Sequence, residues 1–290
     1  MIRIMTEKAY AKINLYLEVR GKRPDGYHDL ESIMQQVSLF DYITVVRSVS
    51  DDTSGIAVLC TDKSIPEDKR NIVYKCADAF FSHFGITEYN ITIHIDKRIP
   101  SAAGLAGGST DGAAVLKILN TMFDVNAGLS ELCDIGKKIG ADIPICLIGG
   151  TCVCKGIGEI LIPQKITTPA NQILIVFPGN GVSTAAAYKM LDESEDDSDG
   201  YSADNIITAL KNGKIPTRLY NSFERVILPV HPAASNVREI MHRHGAEAMM
   251  SGSGPSVFGL FGDCDAIKKA QIELLGIGFR SHICSPVLQK

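Results

Sequence analysis

The chain has 290 residues, about twice the ~150-residue expectation for one domain, so two domains, or one large domain with a substantial appendage, are expected. Apolar residues make up 45% and charged residues 21%, a balance that excludes global disorder and needs no disulfide or metal staple. The formal net charge of -4 argues against a nucleic-acid coat or a basic membrane-surface protein, in which one sign dominates.

The opening MIRIMTEKAY has neither the apolar core nor the cleavage site of a secretory signal. No apolar run approaches the ~18 residues that span a bilayer. None of the eight cysteines forms a CxxC pair. Cys152 and Cys154 share one face of a strand, but no histidine or second pair lies at zinc-site spacing. The expectation is a reduced, cytoplasmic protein.

Ala9–Val19 alternates, with Ile13, Leu15, Leu17 and Val19 on one side and Lys12, Asn14, Tyr16 and Glu18 on the other. That pattern predicts a half-buried strand. A turn-rich loop follows from Gly21 to His28, around Pro24, Asp25 and Gly26. Strands are predicted at Tyr42–Arg47 and Ile91–Ile95, and helices at Asn71–Phe84 and Asp111–Phe123. Ser130–Ile139 is read as a short helix with Ser130 as N-cap and Gly140 as C-cap. Strands resume at Thr151–Cys154 and Ile173–Phe177, on either side of a soft boundary near Pro163–Asn171. Residues 192–199 carry six acids, which reads as a solvated loop, with a partner- or metal-binding tail as the rival reading. The rest alternates: helices at Asn205–Lys211, Ala233–His244 and Asp265–Leu275, and strands before Ser251, at Val257–Phe261 and at Phe279–Cys284.

The segment richest in chemistry is IPSAAGLAGGSTDGAA, residues 99–114. It follows a strand and opens a helical pattern. Its glycines admit positive φ and close approach of a ligand. Free N–H groups at a helix start attract an anion, and Ser109 and Thr110 can cap the helix or bind oxygens. Lys97 and Arg98 upstream would add positive potential. The reading is a phosphate cradle, although a tight strand-to-helix connection needs the same small residues. No GxxxxGK[ST] or GxGxxG pattern occurs, so neither a Walker loop nor a dinucleotide fold is expected. A second glycine-rich turn, SGSGP at 251–255, fits either a plain hairpin or a close ligand approach. Lys12 and Asn14 share the polar side of the first strand. Asp142 lies in GADIP before the apolar ICLI. Tyr27 and His28 close the Pro-Asp-Gly turn, where an aromatic ring beside an imidazole suits a nucleobase or ordinary loop packing.

AYAKINLYL (9–17), IPSAAGLAGGSTD (99–111) and MMSGSGPSVFGLF (249–261), in that order, resemble the three signatures of the GHMP small-molecule kinases. Three further stretches resemble the branch of that superfamily acting on a cytidine-diphosphate-linked methylerythritol in the non-mevalonate route to isoprenoid precursors. These are 11–43, 140–161, and GVSTAAAY (181–188) with the later NSFE (221–224). Ser48–Lys69 and 192–199 match poorly. The resemblance implies an α+β, two-domain fold: an N-terminal ATP-binding α/β domain over 1–165 and a smaller ferredoxin-like α/β domain over 166–290. It implies an enzyme that moves the γ-phosphate of ATP, with Mg²⁺, to the substrate's 2-hydroxyl. Lys12 and Asp142 match the catalytic pair. Pro100, Ser101, Ala102, Ala103, Gly104, Leu105, Ala106, Gly107, Gly108, Ser109 and Thr110 match the ATP-phosphate loop. Asn14, Tyr27, His28 and Tyr188 match the substrate site, and Ser109 is the candidate metal ligand. The chain departs from the pattern at Ser101-Ala102, where Met-Gly is commoner, at Ala106, where many relatives have Gly, and at Gly112, where Ala is usual. The expected partner is a small molecule, with no nucleic acid or membrane, on a monomer or weak homodimer. Another GHMP kinase, acting on homoserine, mevalonate or a sugar, is the first alternative. A non-catalytic nucleotide sensor on the same fold is the second.

Overall fold

The computed structural model describes residues 2–48, 55–166, 172–194 and 200–289. The chain divides into two compact units, neither a single stretch of sequence. One is Met1–Ala11, Leu39–Ile99 and Ala106–Ile148; the other is Lys12–Ser38, Pro100–Leu105 and Gly149–Lys290. Two strands, β1 (Ile2–Lys22) and β2 (His28–Ser48), run from one unit into the other.

In the first unit, β3 (Gly55–Cys60) pairs in parallel with β4 (Asn90–Asp96), and β4 pairs antiparallel with residues 42–47 of β2. Ile91, Ile93 and Ile95 bury one face of β4 while His94 is exposed on the other. Helix α1 (Ile72–Phe84) starts at Asn71, whose side chain accepts from Val73 N, and stops at Gly85 in the left-handed conformation. Its buried Cys76, Phe80 and Phe81 pack toward α2 (Gly107–Met122). Cys76 explains Gly112. A Cβ on that glycine would lie 2.7 Å from Cys76 Sγ, so the helix gives up about 1 kcal/mol of propensity to let α1 approach. Helices α3 (Leu129–Gly136) and α4 (Ile143–Ile148) complete the unit. Helix α3 begins one residue before the expected Ser130, with Gly128 as its cap, and closes into turns before Ile139.

In the second unit, residues 30–35 of β2 pair with β5 (Thr151–Gly156), which turns back into β6 (Ile160–Gln164). The two-residue β8 (Tyr220–Asn221) lies parallel to Tyr16–Leu17 of β1. The remaining strands, β7 (Gln172–Val176), β9 (Glu247–Met250), β10 (Val257–Phe261) and β11 (Ser281–Cys284), form an antiparallel sheet in the order β11-β7-β10-β9. With α8 (Pro232–Arg243) before β9 and α9 (Cys264–Gly276) after β10, the connection is the βαββαβ of a ferredoxin-like domain. Both helices cover one face, burying Val237, Ile240, Ile267 and Leu274 against Leu174, Val176 and Val257. Between β7 and α8 lie α5 (Thr184–Asp192), α6 (Ala203–Lys211) and α7 (Glu224–Ile227). Each predicted strand and helix is present.

Two further expectations change. The middle of β1 is not half-buried: Lys12, Asn14 and Tyr16 are as enclosed as Ile13 and Leu15, so its polar side faces protein. Helix α2 begins at Gly107, four residues before the predicted Asp111, because its glycines belong to the first turn. The predicted boundary at Pro163–Asn171 and the acidic run 192–199 lie partly outside the described residues, at 167–171 and 195–199.

Candidate active site

The turn before α2 has an unusual backbone. Ala102, Gly104 and Ala106 all have positive φ, at 52°, 75° and 57°. Alternating left-handed residues turn successive N–H groups to one side, the geometry of an anion nest. A left-handed alanine costs roughly 1–2 kcal/mol, so two of them mark a backbone shape held by its surroundings. Ala106 is the N-cap of α2, with no side-chain cap, and the first intrahelical bond runs from Thr110 N to Ala106 O at 2.9 Å. The amides of Gly107, Gly108 and Ser109 therefore have no carbonyl one turn back. Ser109 and Thr110 sit inside the first turn instead of capping it.

In the second unit, the two glycine-rich turns meet. A Cβ on Gly104 would fall 2.0 Å from Ser251 O and 3.1 Å from Gly254 N. Ser251 Oγ donates to Gly104 O at 3.0 Å, Ser256 N donates to Ala103 O at 3.3 Å and Lys12 N donates to Leu105 O at 3.1 Å. Asn221, in the NSFE stretch, holds the SGSGP turn from behind: its Nδ2 donates to Met250 O (2.7 Å) and Gly252 O (2.9 Å), while its Oδ1 accepts from Phe223 N. In the GVST stretch, Thr184 Oγ1 lies 3.0 Å from Ser253 Oγ, and a Cβ on Gly181 would press on Ala102 Cβ at 2.8 Å. Five stretches remote in sequence thus converge, and SGSGP is more than a hairpin.

Lys12 enters this cluster from β1. Its Nζ donates to Asn14 Oδ1 at 2.7 Å and lies 3.4 Å from where a Cβ on Gly252 would stand. Asn14 Nδ2 donates to Ser32 Oγ (2.8 Å), which donates to Tyr16 O (2.6 Å). With only 4% of Lys12 and 1% of Asn14 exposed, this relay fixes the ammonium at the end of a buried chain of hydrogen bonds.

Asp142 belongs to the first unit. It is half-buried at the start of α4, where its carbonyl accepts from Cys146 N at 3.2 Å. That unit also holds a charge cluster the sequence reading missed. Asp41 is fully buried on β2 and its Oδ1 accepts from the backbone N–H groups of Arg98 and Ile99. Lys97 Nζ bridges Asp41 Oδ2 and, at 2.9 Å, Asp111 Oδ2. The residues just before the 102–106 turn are thereby tied to the start of α2 after it. Burial pulls the Lys97 ammonium down, but Asp111 and Asp41 outweigh it and hold it above the usual lysine range. Burial drives the Asp111 carboxyl well above the usual carboxylate range, Lys97 opposes this, and Asp41 adds to it. Asp111 Oδ1 is buried without a hydrogen-bond partner among the described residues. Lys97 and Arg98 therefore lend the turn little free charge, since Arg98 pairs with Asp96 at 2.9 Å. Alternation was the available signal: Asp41 falls in register with the buried Leu39, Ile43 and Val45.

Back in the second unit, His28 and Tyr188 stack, with ring centroids 4.5 Å apart and planes at 23°. Phe223 meets Tyr188 edge-on at 4.9 Å. Tyr27 is 60% exposed at the tip of its turn, its N–H held by Asp25 Oδ1 at 3.1 Å. Among the described residues no three His, Cys, Asp or Glu side chains form a group able to hold a metal ion. No helix of the described residues is long and apolar enough to cross a membrane.

Residues 71–150 match the model of the GHMP kinases N terminal domain, and residues 206–274 that of the GHMP kinases C terminal. Over 271 residues, 92% of the chain, it is 44% identical to proteins named 4-diphosphocytidyl-2-C-methyl-D-erythritol kinase from Caldicellulosiruptor saccharolyticus and Clostridium perfringens, covering 91% and 92% of them. A crystal structure of 4-(cytidine 5'-diphospho)-2C-methyl-D-erythritol kinase superposes with a TM-score of 0.80 at 31% identity, over 97% of this chain and 99% of that one. A homoserine kinase from Cytophaga hutchinsonii shares the fold, with a TM-score of 0.67 at 20% identity over 99% and 96% of the two chains.

Proposed function

The chain belongs to the 4-diphosphocytidyl-2-C-methyl-D-erythritol kinases of the GHMP superfamily, and we propose that its ATP-dependent reaction phosphorylates the 2-hydroxyl of that cytidyl alcohol. The observation that carries the reading is the seating of Gly104 against Ser251–Gly254 with Lys12 Nζ beside Gly252, which joins three GHMP signatures in one cluster.

Phosphoryl transfer depends on alignment and charge stabilisation more than on covalent chemistry. The nest at 102–106 and the first amides of α2 bind phosphate oxygens with donors already oriented, at little reorganisation cost. Lys12, held by Asn14, steadies negative charge on the transferring group. Asp142 positions the attacking hydroxyl and takes its proton. When bound with the nucleotide, Mg²⁺ would neutralise phosphate charge, with the Ser109 hydroxyl at the first turn of α2 as the protein's contribution to holding it. Tyr27 and the Tyr188–His28 stack take the cytosine. Residues 1–165 supply the ATP loop and part of the substrate site, and 166–290 supply the second domain.

The test is the product formed with ATP and the cytidyl alcohol, read by ³¹P NMR. A new phosphomonoester on the 2-oxygen, with one ADP per product, is expected. Transfer only to homoserine, mevalonate or a sugar, or ATP binding without transfer to any alcohol, overturns the reading.

A further inference from the structure

The acidic run starting at Asp192 reads as a solvated loop, yet Asp192 itself is engaged. It ends α5, and its Oδ1 lies 2.6 Å from His28 Nε2 while its Oδ2 accepts from Lys22 Nζ at 2.7 Å. Tyr188 lies four residues earlier on the same helix face and covers the flat side of the same imidazole. One helix thus grips His28 by a face and an edge, leaving its side chain 10% exposed. Among the described residues, His28 Nδ1 has no hydrogen-bond partner.

The hydrogen bonds from Lys22 and then His28 hold the Asp192 carboxyl below the usual carboxylate range. An ionised carboxylate only accepts, so Nε2 carries a hydrogen, and a neutral ring then presents a bare lone pair at Nδ1. Lys22 shares the carboxylate charge. We infer that Asp192 is a specificity-determining positioning residue: it fixes His28 as the Nε2–H tautomer, so that Nδ1 accepts from an exocyclic amine and repels a carbonyl. A 4-aminopyrimidine such as cytosine offers that amine, whereas uracil places a carbonyl at the same point. The inference rests on the cytidyl substrate proposed above.

Its test compares kcat/KM for the cytidine- and uridine-diphosphate-linked alcohols in wild type, Asp192→Ala and Asp192→Asn, together with ¹⁵N spectra of the His28 ring. Wild type should prefer the cytidine substrate and show the Nε2–H tautomer. Asp192→Ala should lose about tenfold or more of that preference, mainly through KM, and show mixed tautomers. Asp192→Asn, whose amide oxygen still accepts, should keep most of both. The inference is overturned by an unchanged preference in Asp192→Ala, by an Asn variant that falls as far as the Ala variant, or by an imidazolium or Nδ1–H tautomer in wild type. A wild type that uses both substrates equally overturns the substrate reading instead, and the ring spectra still decide what Asp192 does to His28.

Discussion

The glycine-rich turn before α2 and the His28 cluster are built from opposite materials. At 102–108 the chain presents backbone N–H groups, made accessible by residues with no side chain to spare: Gly104 has no room for a single carbon beside Ser251 O. At His28, Tyr188 and Asp192 the backbone is ordinary helix and strand, and the groups on offer are ring faces and polar edges. A backbone-built site fails when an atom is added, whatever its chemistry. A site built from side chains fails when the acceptor or base its chemistry needs is lost, even at constant volume.

Asp142→Asn tests the second half of that rule at its most demanding, since it exchanges one oxygen for nitrogen at nearly constant size. Turnover should fall by about 10²–10⁴-fold while the denaturation midpoint stays close to wild type. A loss below about tenfold removes Asp142 from proton transfer.

Gly104→Ala tests the first half. Overpacking against Ser251 and a left-handed alanine together should cost about 2–4 kcal/mol of stability in denaturant unfolding, with a raised KM for ATP. A variant with wild-type stability and KM would mean that the two glycine-rich turns yield easily and that backbone closeness is not their purpose.

The smallest expected effect sharpens the contrast beneath the turn. Lys97 can balance one of its two carboxylates, and burial drives the Asp111 carboxyl well above the usual carboxylate range. A carboxyl raised in the folded state binds its proton more tightly there, so stability is full below its unfolded pKa and declines as pH rises through the higher folded one. Asp111→Asn should flatten that decline in a stability–pH profile above about pH 4, near the ordinary carboxylate value. An unaltered slope would place the proton elsewhere.

The sequence made the order of strands and helices readable wherever one face stays wet, as on β4 and α8. It hid what is buried on both faces. Residues 31–37 of β2 are enclosed throughout, so they show no alternation and gave no strand signal, and the same enclosure concealed the polar relay from Lys12 to Tyr16. Glycines 107 and 108 read as loop because propensity scores helix interiors, whereas a helix start gains from exposed amides. The motif residues Lys12, Gly104, Ser251 and Asn221 were legible as short patterns. Asp192 was masked by its acidic neighbours, and its role depends on Tyr188 one helical turn away and on Lys22 and His28 far off in the chain.

The contact between Gly112 and Cys76 carries a consequence for divergence. Either position can enlarge only if the other shrinks, so descendants of this chain should exchange the pair in concert. A methyl group gained on α2 would have to be matched by a thiol trimmed from α1, and a library randomising both codons should recover those compensated couples far more often than either lone replacement.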